Sequence, residues 1–163
     1  MKRLWMVSLA ALLVVLSGCV VVVSDPIPLY DATFRTDFQD AAGYYICDDV
    51  DTLMTYEFRF RDTLVGWRSY LRVTPIVGDT YIAFDRELTL DSPGVMVSGD
   101  RATYQFVIDS RLVPLAEQGE LEPQAILVEV GSARLVLESR ALDGTVRVLQ
   151  SEEPIPIRTG CGN

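Results

Sequence analysis

The residue pattern from Tyr44 onward predicts an all-β domain, an antiparallel β-sandwich of about eight short strands. Three observations carry that prediction. Apolar and polar residues alternate with a period of two in one segment after another, the spacing that turns one face of a strand to a core and the other to water. Clusters of Gly, Pro, Asp and Ser punctuate those segments at short intervals. No segment after the apolar N-terminus carries a convincing amphipathic-helix repeat.

Residues 20–43 read as a tether followed by an arm. Pro26 and Pro28 disfavour helix there and favour extended chain. Tyr30, Phe34 and Phe38 recur every four residues, which allows a short helical turn within 31–41. After Gly43, the first clear strand covers 44–48 and carries Cys47. Residues 53–61 alternate strictly, with Tyr56, Phe58 and Phe60 on one face and Thr55, Glu57, Arg59 and Arg61 on the other. Residues 67–73 do the same, setting Trp67, Leu71 and Val73 opposite Arg68, Tyr70 and Arg72. One or two further strands lie within 80–90, and 101–109 form another that buries Tyr104, Phe106 and Ile108. Pro114, Gly119 and Pro123, mixed with three glutamates, make 110–124 a long polar connection. Strands resume at 125–130, 133–142 and 145–150. A two-residue Asp143-Gly144 turn would align Leu135, Leu137 and Ala141 with Val146 and Val148 on one face. Pro154 and Pro156 confine the last segment to a sheet edge or a loop. In length and rhythm this architecture is immunoglobulin-like, without the Cys-Trp-Cys spacing of true immunoglobulin domains.

The N-terminus carries an address. Lys2 and Arg3 precede an apolar run over 4–16 that ends in Leu16-Ser17-Gly18-Cys19. A short positive region, an apolar helical segment and small residues before a cysteine resemble the lipobox signal of bacterial lipoprotein precursors. That resemblance covers residues 1–19. It implies that 1–18 are a signal helix removed by a dedicated peptidase, and that Cys19 becomes a lipidated N-terminus. It also implies a location outside the cytoplasm, lipid-anchored to a membrane. By the family's sorting habit, Val20 rather than Asp after the cysteine favours the outer membrane where the cell has one. An uncleaved membrane-spanning anchor is the alternative, because residues 4–23 are almost wholly apolar and long enough to span a bilayer. Three regions result: a signal peptide over 1–18, a lipidated N-terminus with tether and arm over 19–43, and a β-sandwich domain over 44–163.

Charge and composition then exclude whole classes of chemistry. Without residues 1–18 the chain keeps 12 arginines, no lysine and no histidine against 23 acidic residues, a formal charge of −11. Such a surface makes nucleic acid an unsuitable partner. Without His or mature Lys there is no Ser-His-Asp triad, no Cys-His pair, no histidine-ligated zinc, no Schiff base and no Walker-type lysine. Carboxylate chemistry, hard-metal binding or a non-catalytic role remain, and no cofactor is expected. With Cys19 assigned to lipid, Cys47 and Cys161 are left as a pair in an oxidising compartment. Their disulfide would close a loop of more than a hundred residues, worth about 4 to 5 kcal/mol of chain entropy; two buried free thiols are the alternative.

Two clusters stand out as candidate sites. Asp48, Asp49 and Asp51 are the densest acidic group, with an alternation that suits Ca²⁺ but no EF-hand spacing. Asp-rich turns at strand ends are also common, so no metal is assigned. Arg59, Arg61, Arg68 and Arg72 lie on the non-core faces of two consecutive strands. If those strands form a hairpin, the four guanidinium groups share one anion-binding face suited to carboxylate or phosphate. Pairing with nearby acids, or screening by solvent, is the plainer account. The function expected is that of a non-catalytic binding or scaffolding domain, its partner an envelope protein or an anionic envelope component. The rival is a carboxylate-dependent enzyme acting on envelope glycan.

Overall fold

A computed structural model describes residues 27–113 and 127–161. The signal segment, Cys19 and the tether lie outside the described residues, as does most of the polar connection expected over 110–124. In chain order the strands are β1 (Leu29–Thr36), β2 (Gln39–Asp40), β3 (Gly43–Tyr44), β4 (Ile46–Cys47), β5 (Thr52–Phe60), β6 (Leu64–Pro75), β7 (Tyr81–Leu88), β8 (Val95–Ser98), β9 (Arg101–Ile108), β10 (Val128–Ala141), β11 (Val146–Gln150) and β12 (Ile155–Thr159). No helix occurs among the described residues. One sheet runs β1-β5-β9-β8, the other β4-β12-β10-β6-β7 with β11 also paired to β10, and β2 and β3 form a small ribbon. Every pairing is antiparallel except β4 against β12.

The two larger sheets face each other because each strand presents one apolar row. Met54, Tyr56 and Phe58 of β5 meet Trp67, Leu71 and Val73 of β6, joined by Leu135 and Leu137 of β10 and by Ile155 and Ile157 of β12, all buried. Phe58 and Trp67 pack edge to face at 4.8 Å between centroids. The Trp67 indole N–H donates to the Tyr56 hydroxyl at 2.8 Å across the interface. The indole would otherwise be a buried donor without water, and Tyr56 sits where it can accept. Burial pushes the Tyr56 phenol up to about 12, so it stays protonated.

Three expectations are corrected here. Residues 31–41 hold no helical turn; Leu29–Thr36 forms an edge strand paired to β5. A spacing of four is also a multiple of two, so Tyr30 and Phe34 satisfy a strand as readily as a helix. Residues 80–90 supply one strand, β7, within the one or two expected there. The segments at 125–130 and 133–142 merge into the single long β10. Gly131, which looks like punctuation, sits inside it where an added Cβ would lie 3.0 Å from the Thr74 carbonyl and 3.1 Å from Pro75 Cα. The glycine thus permits close approach to β6 rather than a turn. Finally, the β10–β11 turn is one residue longer than expected. Arg140 pairs with Val146, and the Ala141 N–H donates to the Thr145 carbonyl, so Leu142, Asp143 and Gly144 form the loop. That single residue inverts the parity of β11. Val146 and Val148 turn outward, half or more exposed, and Leu149 turns in against Leu137.

Candidate functional site

The predicted site residues separate into three places. Cys19 lies outside the described residues. Cys47 and Cys161 are joined by a disulfide across a sequence separation of 114, tying β4 to the chain that follows β12. The three aspartates cluster beside this bridge, with their oxygens turned to backbone amides. Buried Asp48 accepts from the Val113 N–H at 2.8 Å, Asp51 from Ser110 at 2.9 Å, and Asp49 from Gly160 and Cys161 at 3.0 and 3.2 Å. Asp48 and Asp51 therefore hold the chain that follows β9, and Asp49 the chain that follows β12, against the strand ends, the common role of aspartate at such turns. One grouping of metal-type ligands occurs among the described residues, Cys47, Asp49 and Cys161. Its sulfurs are bonded to each other and have no thiolate to offer.

The four-arginine face does not form. β5 and β6 follow one another in sequence but lie in opposite sheets, so their short connection is an arch rather than a hairpin. Tyr56 and Trp67 point inward toward each other, which sends Arg59 and Arg68 out of opposite sides of the domain. Each has an acidic partner. Arg59 donates from Nε to Asp100 at 2.8 Å. Arg68 clasps Asp85 through two bonds of 2.7 and 2.6 Å, with Glu138 3.6 Å away and its guanidinium over the Tyr70 ring at 5.0 Å. Arg59 holds Asp100 below the usual carboxylate range, and Arg68 does the same to Asp85. Arg59 pairs across strands with Arg101, a like-charge contact relieved by Asp100 on one side and by Glu57 on the other. Arg61 stacks over Tyr30 at 5.2 Å and makes no ion pair among the described residues. Arg72 sits opposite Arg134, whose guanidinium is spent on the carbonyls of Ser151 and Glu152.

A concavity of about 470 Å³ lies beside Arg68, Glu87 and Glu138, and a larger, more apolar one lies elsewhere. Between β1 of one sheet and β11 of the other, the sandwich parts into a groove of about 660 Å³. Ala32 and Phe34 form one wall; Leu135, Leu137 and Leu149 form the floor and the other wall. Tyr44 stands beside Phe34, their rings 6.4 Å apart. Asp31, Glu152 and Glu153 stand exposed on the rim. Both flanking strands are edges, paired on one side only. The size falls within the range of ligand clefts, and the lining is mostly apolar with polar groups at its border. Nothing local in the sequence announces this groove. It exists because β11, with its inverted parity, brings Leu149 rather than Val148 to the inner face.

At the opposite margin of the sandwich lies β7. β7 ends its sheet, and its register shifts at a bulge where Phe84 takes a left-handed backbone, φ 54°. The ring packs on Phe106 at 5.8 Å. A bulky residue in that region is uncommon, and a bulge of this kind blunts an edge against further pairing. β1 carries a similar bulge between Tyr30 and Thr33, with Asp31 at φ 52°, and pairs regularly with β5 from Thr33 onward. Compared with known proteins, the chain matches no family model, no curated protein and no solved structure.

Proposed function

We propose that the chain is a lipid-anchored cell-envelope lipoprotein whose β-sandwich is a non-catalytic binding module. It sits outside the cytoplasm, at the outer membrane where there is one. The disulfide supports an oxidising compartment. The strand order supports an immunoglobulin-like architecture. Taken as A, B, E and D, the strands β1, β5, β9 and β8 run in the order of one immunoglobulin sheet; β12, β10, β6 and β7 follow the order of the other. Buried Trp67 on β6 occupies the strand where such domains place their core tryptophan.

The observation that carries binding over catalysis is the groove between β1 and β11. It leaves Phe34 and Leu149 half-buried over a floor of buried Leu135 and Leu137, between two edge strands, which suits an extended apolar segment of another envelope protein that borrows main-chain hydrogen bonds from an edge. The acidic rim favours a segment with basic flanks. The rival reading, a carboxylate-dependent enzyme acting on envelope glycan, wants a shielded acid facing a second acid across a cleft. The rim acids here are all solvated. The test is site-specific photo-crosslinking in cells from Leu149 of the full-length protein. A discrete adduct that disappears with Phe34→Glu, with the thermal midpoint preserved, is expected. Absence of an adduct, or one indifferent to Phe34→Glu, overturns the groove as the binding site.

A further inference from the structure

The lipid-anchor reading fixes where the domain is held, and the structure says which end that is. From Cys19 to Ile27 is eight residues, a reach of at most about 28 Å fully extended. β6 alone, with its 12 residues, runs about 40 Å along the sandwich. The tether is therefore shorter than the domain, and it enters at the end where β1 begins. That end is knit from three connections. The Arg61 N–H donates to the Pro28 carbonyl at 3.0 Å, the Phe60 N–H to the Asp100 carbonyl at 2.9 Å, and the Leu142 N–H to the Thr63 carbonyl at 3.0 Å. The β5–β6 arch, the β8–β9 turn and the β10–β11 loop thus form one surface with the chain entry.

This surface offers apolar side chains to an interface: Leu142, at the tip of the β10–β11 loop, is 73% exposed and Ile27 54%, as Ile76 and Val77 are exposed at the far end. The backbone bond to Thr63 fixes Leu142 there, so its exposure belongs to the folded structure rather than to a loose tip. What sets this end apart is charge. Segments 27–31, 59–65, 97–101 and 140–146 contain four arginines and four aspartates, so this end is formally neutral. The whole −11 of the chain without residues 1–18 falls on the remainder. At the far end, segments 47–51, 76–79 and 108–113 hold five aspartates and one arginine. An acidic domain near anionic lipid is repelled everywhere except at its neutral end. Arg61, stacked on Tyr30 without an ion pair among the described residues, can reach a lipid phosphate from there.

We infer that this end of the sandwich rests on the bilayer that anchors Cys19, with Leu142 and Ile27 at the headgroup boundary and Arg61 at the phosphates. The inference rests on the lipid-anchor reading. Contact of this kind places apolar side chains about 5–10 Å into the headgroup region. The far end, about 40 Å away, stays in water.

The test uses full-length protein, processed in a bacterial host and reconstituted into vesicles containing bromine-labelled phosphatidylcholine. Of the two tryptophans, Trp5 lies in the signal and Trp67 is buried, so an added indole reports its own depth. Leu142→Trp and Ile27→Trp should be quenched several-fold more strongly than Ile76→Trp, a far-end residue that is itself 67% exposed. Equal quenching at the two ends, or a stronger effect at Ile76→Trp, overturns the inference. Mass spectrometry of the N-terminal peptide separates the two readings. Lipidated protein without near-end quenching defeats only the orientation, and protein without lipid on Cys19 defeats both.

Discussion

Tyr56 and Trp67 come from strands of opposite sheets, and each solves the other's problem. Replacing Tyr56 by Phe keeps the packing but leaves the Trp67 N–H buried without an acceptor. The expected loss is about 1–3 kcal/mol in urea unfolding. In a Trp67→Phe background the same change should cost less, because the indole donor is then absent and only the Ser69 contact of the Tyr56 hydroxyl is lost. That both residues face inward is legible from the period-two pattern. That they meet is not, because parity says whether a side chain points in or out but not from which sheet. The same gap undoes the four-arginine face. Arg59 and Arg68 do point outward, as their strands demand, yet from opposite sides of the molecule, each with an aspartate distant in sequence.

β10 is the spine of its sheet, pairing with β6 along nearly its whole length and with β11 and β12 on its other side. Gly131 makes that possible at the β6 side. Gly131→Ala would press a methyl group against the backbone of Thr74 and Pro75, which cannot yield as a side chain tip can. We expect a loss of about 1–3 kcal/mol, read from chemical denaturation, with amide exchange quickening first near Pro75 and Gly131. Most strands are legible in the sequence because their alternation is local. Register is less so. Asp143-Gly144 fits a two-residue turn or the second half of a three-residue one, and the choice depends on Leu142 binding Thr63 of a distant loop. The groove inherits that ambiguity, since Leu149 faces it only in the longer register.

The molecule as a whole should be indifferent to pH over the neutral range. It has no histidine, so no side chain of ordinary pKa titrates between about pH 5 and 8. Asp40, Asp85 and Asp100 are each held below their ordinary 3.8 by Arg158, Arg68 and Arg59 respectively. As pH falls, the unfolded chain takes up these protons first, so stability rises with pH through this window. Their contribution is complete above about pH 5 and disappears as pH falls through the lowered folded values. Calorimetry should therefore show a flat thermal midpoint from about pH 8 to 5 and a decline below about pH 4. Salt should soften that decline because the pairs are solvent-exposed. A midpoint that moves between pH 5 and 8 would contradict this account.

The bridge between Cys47 and Cys161 also decides how the domain bears load. A pull applied between Leu29 and the chain beyond Cys161 enters at β1, reaches Cys47 and crosses the sulfurs directly to Cys161. Nearly all of the two sheets lies in parallel with that covalent shortcut and carries no tension. Only the stretch from Leu29 to Cys47 can pay out, about 18 residues or ~60 Å of contour. Such a pull would then peel β1 from β5 and stop, leaving the rest of the sandwich folded behind the bridge.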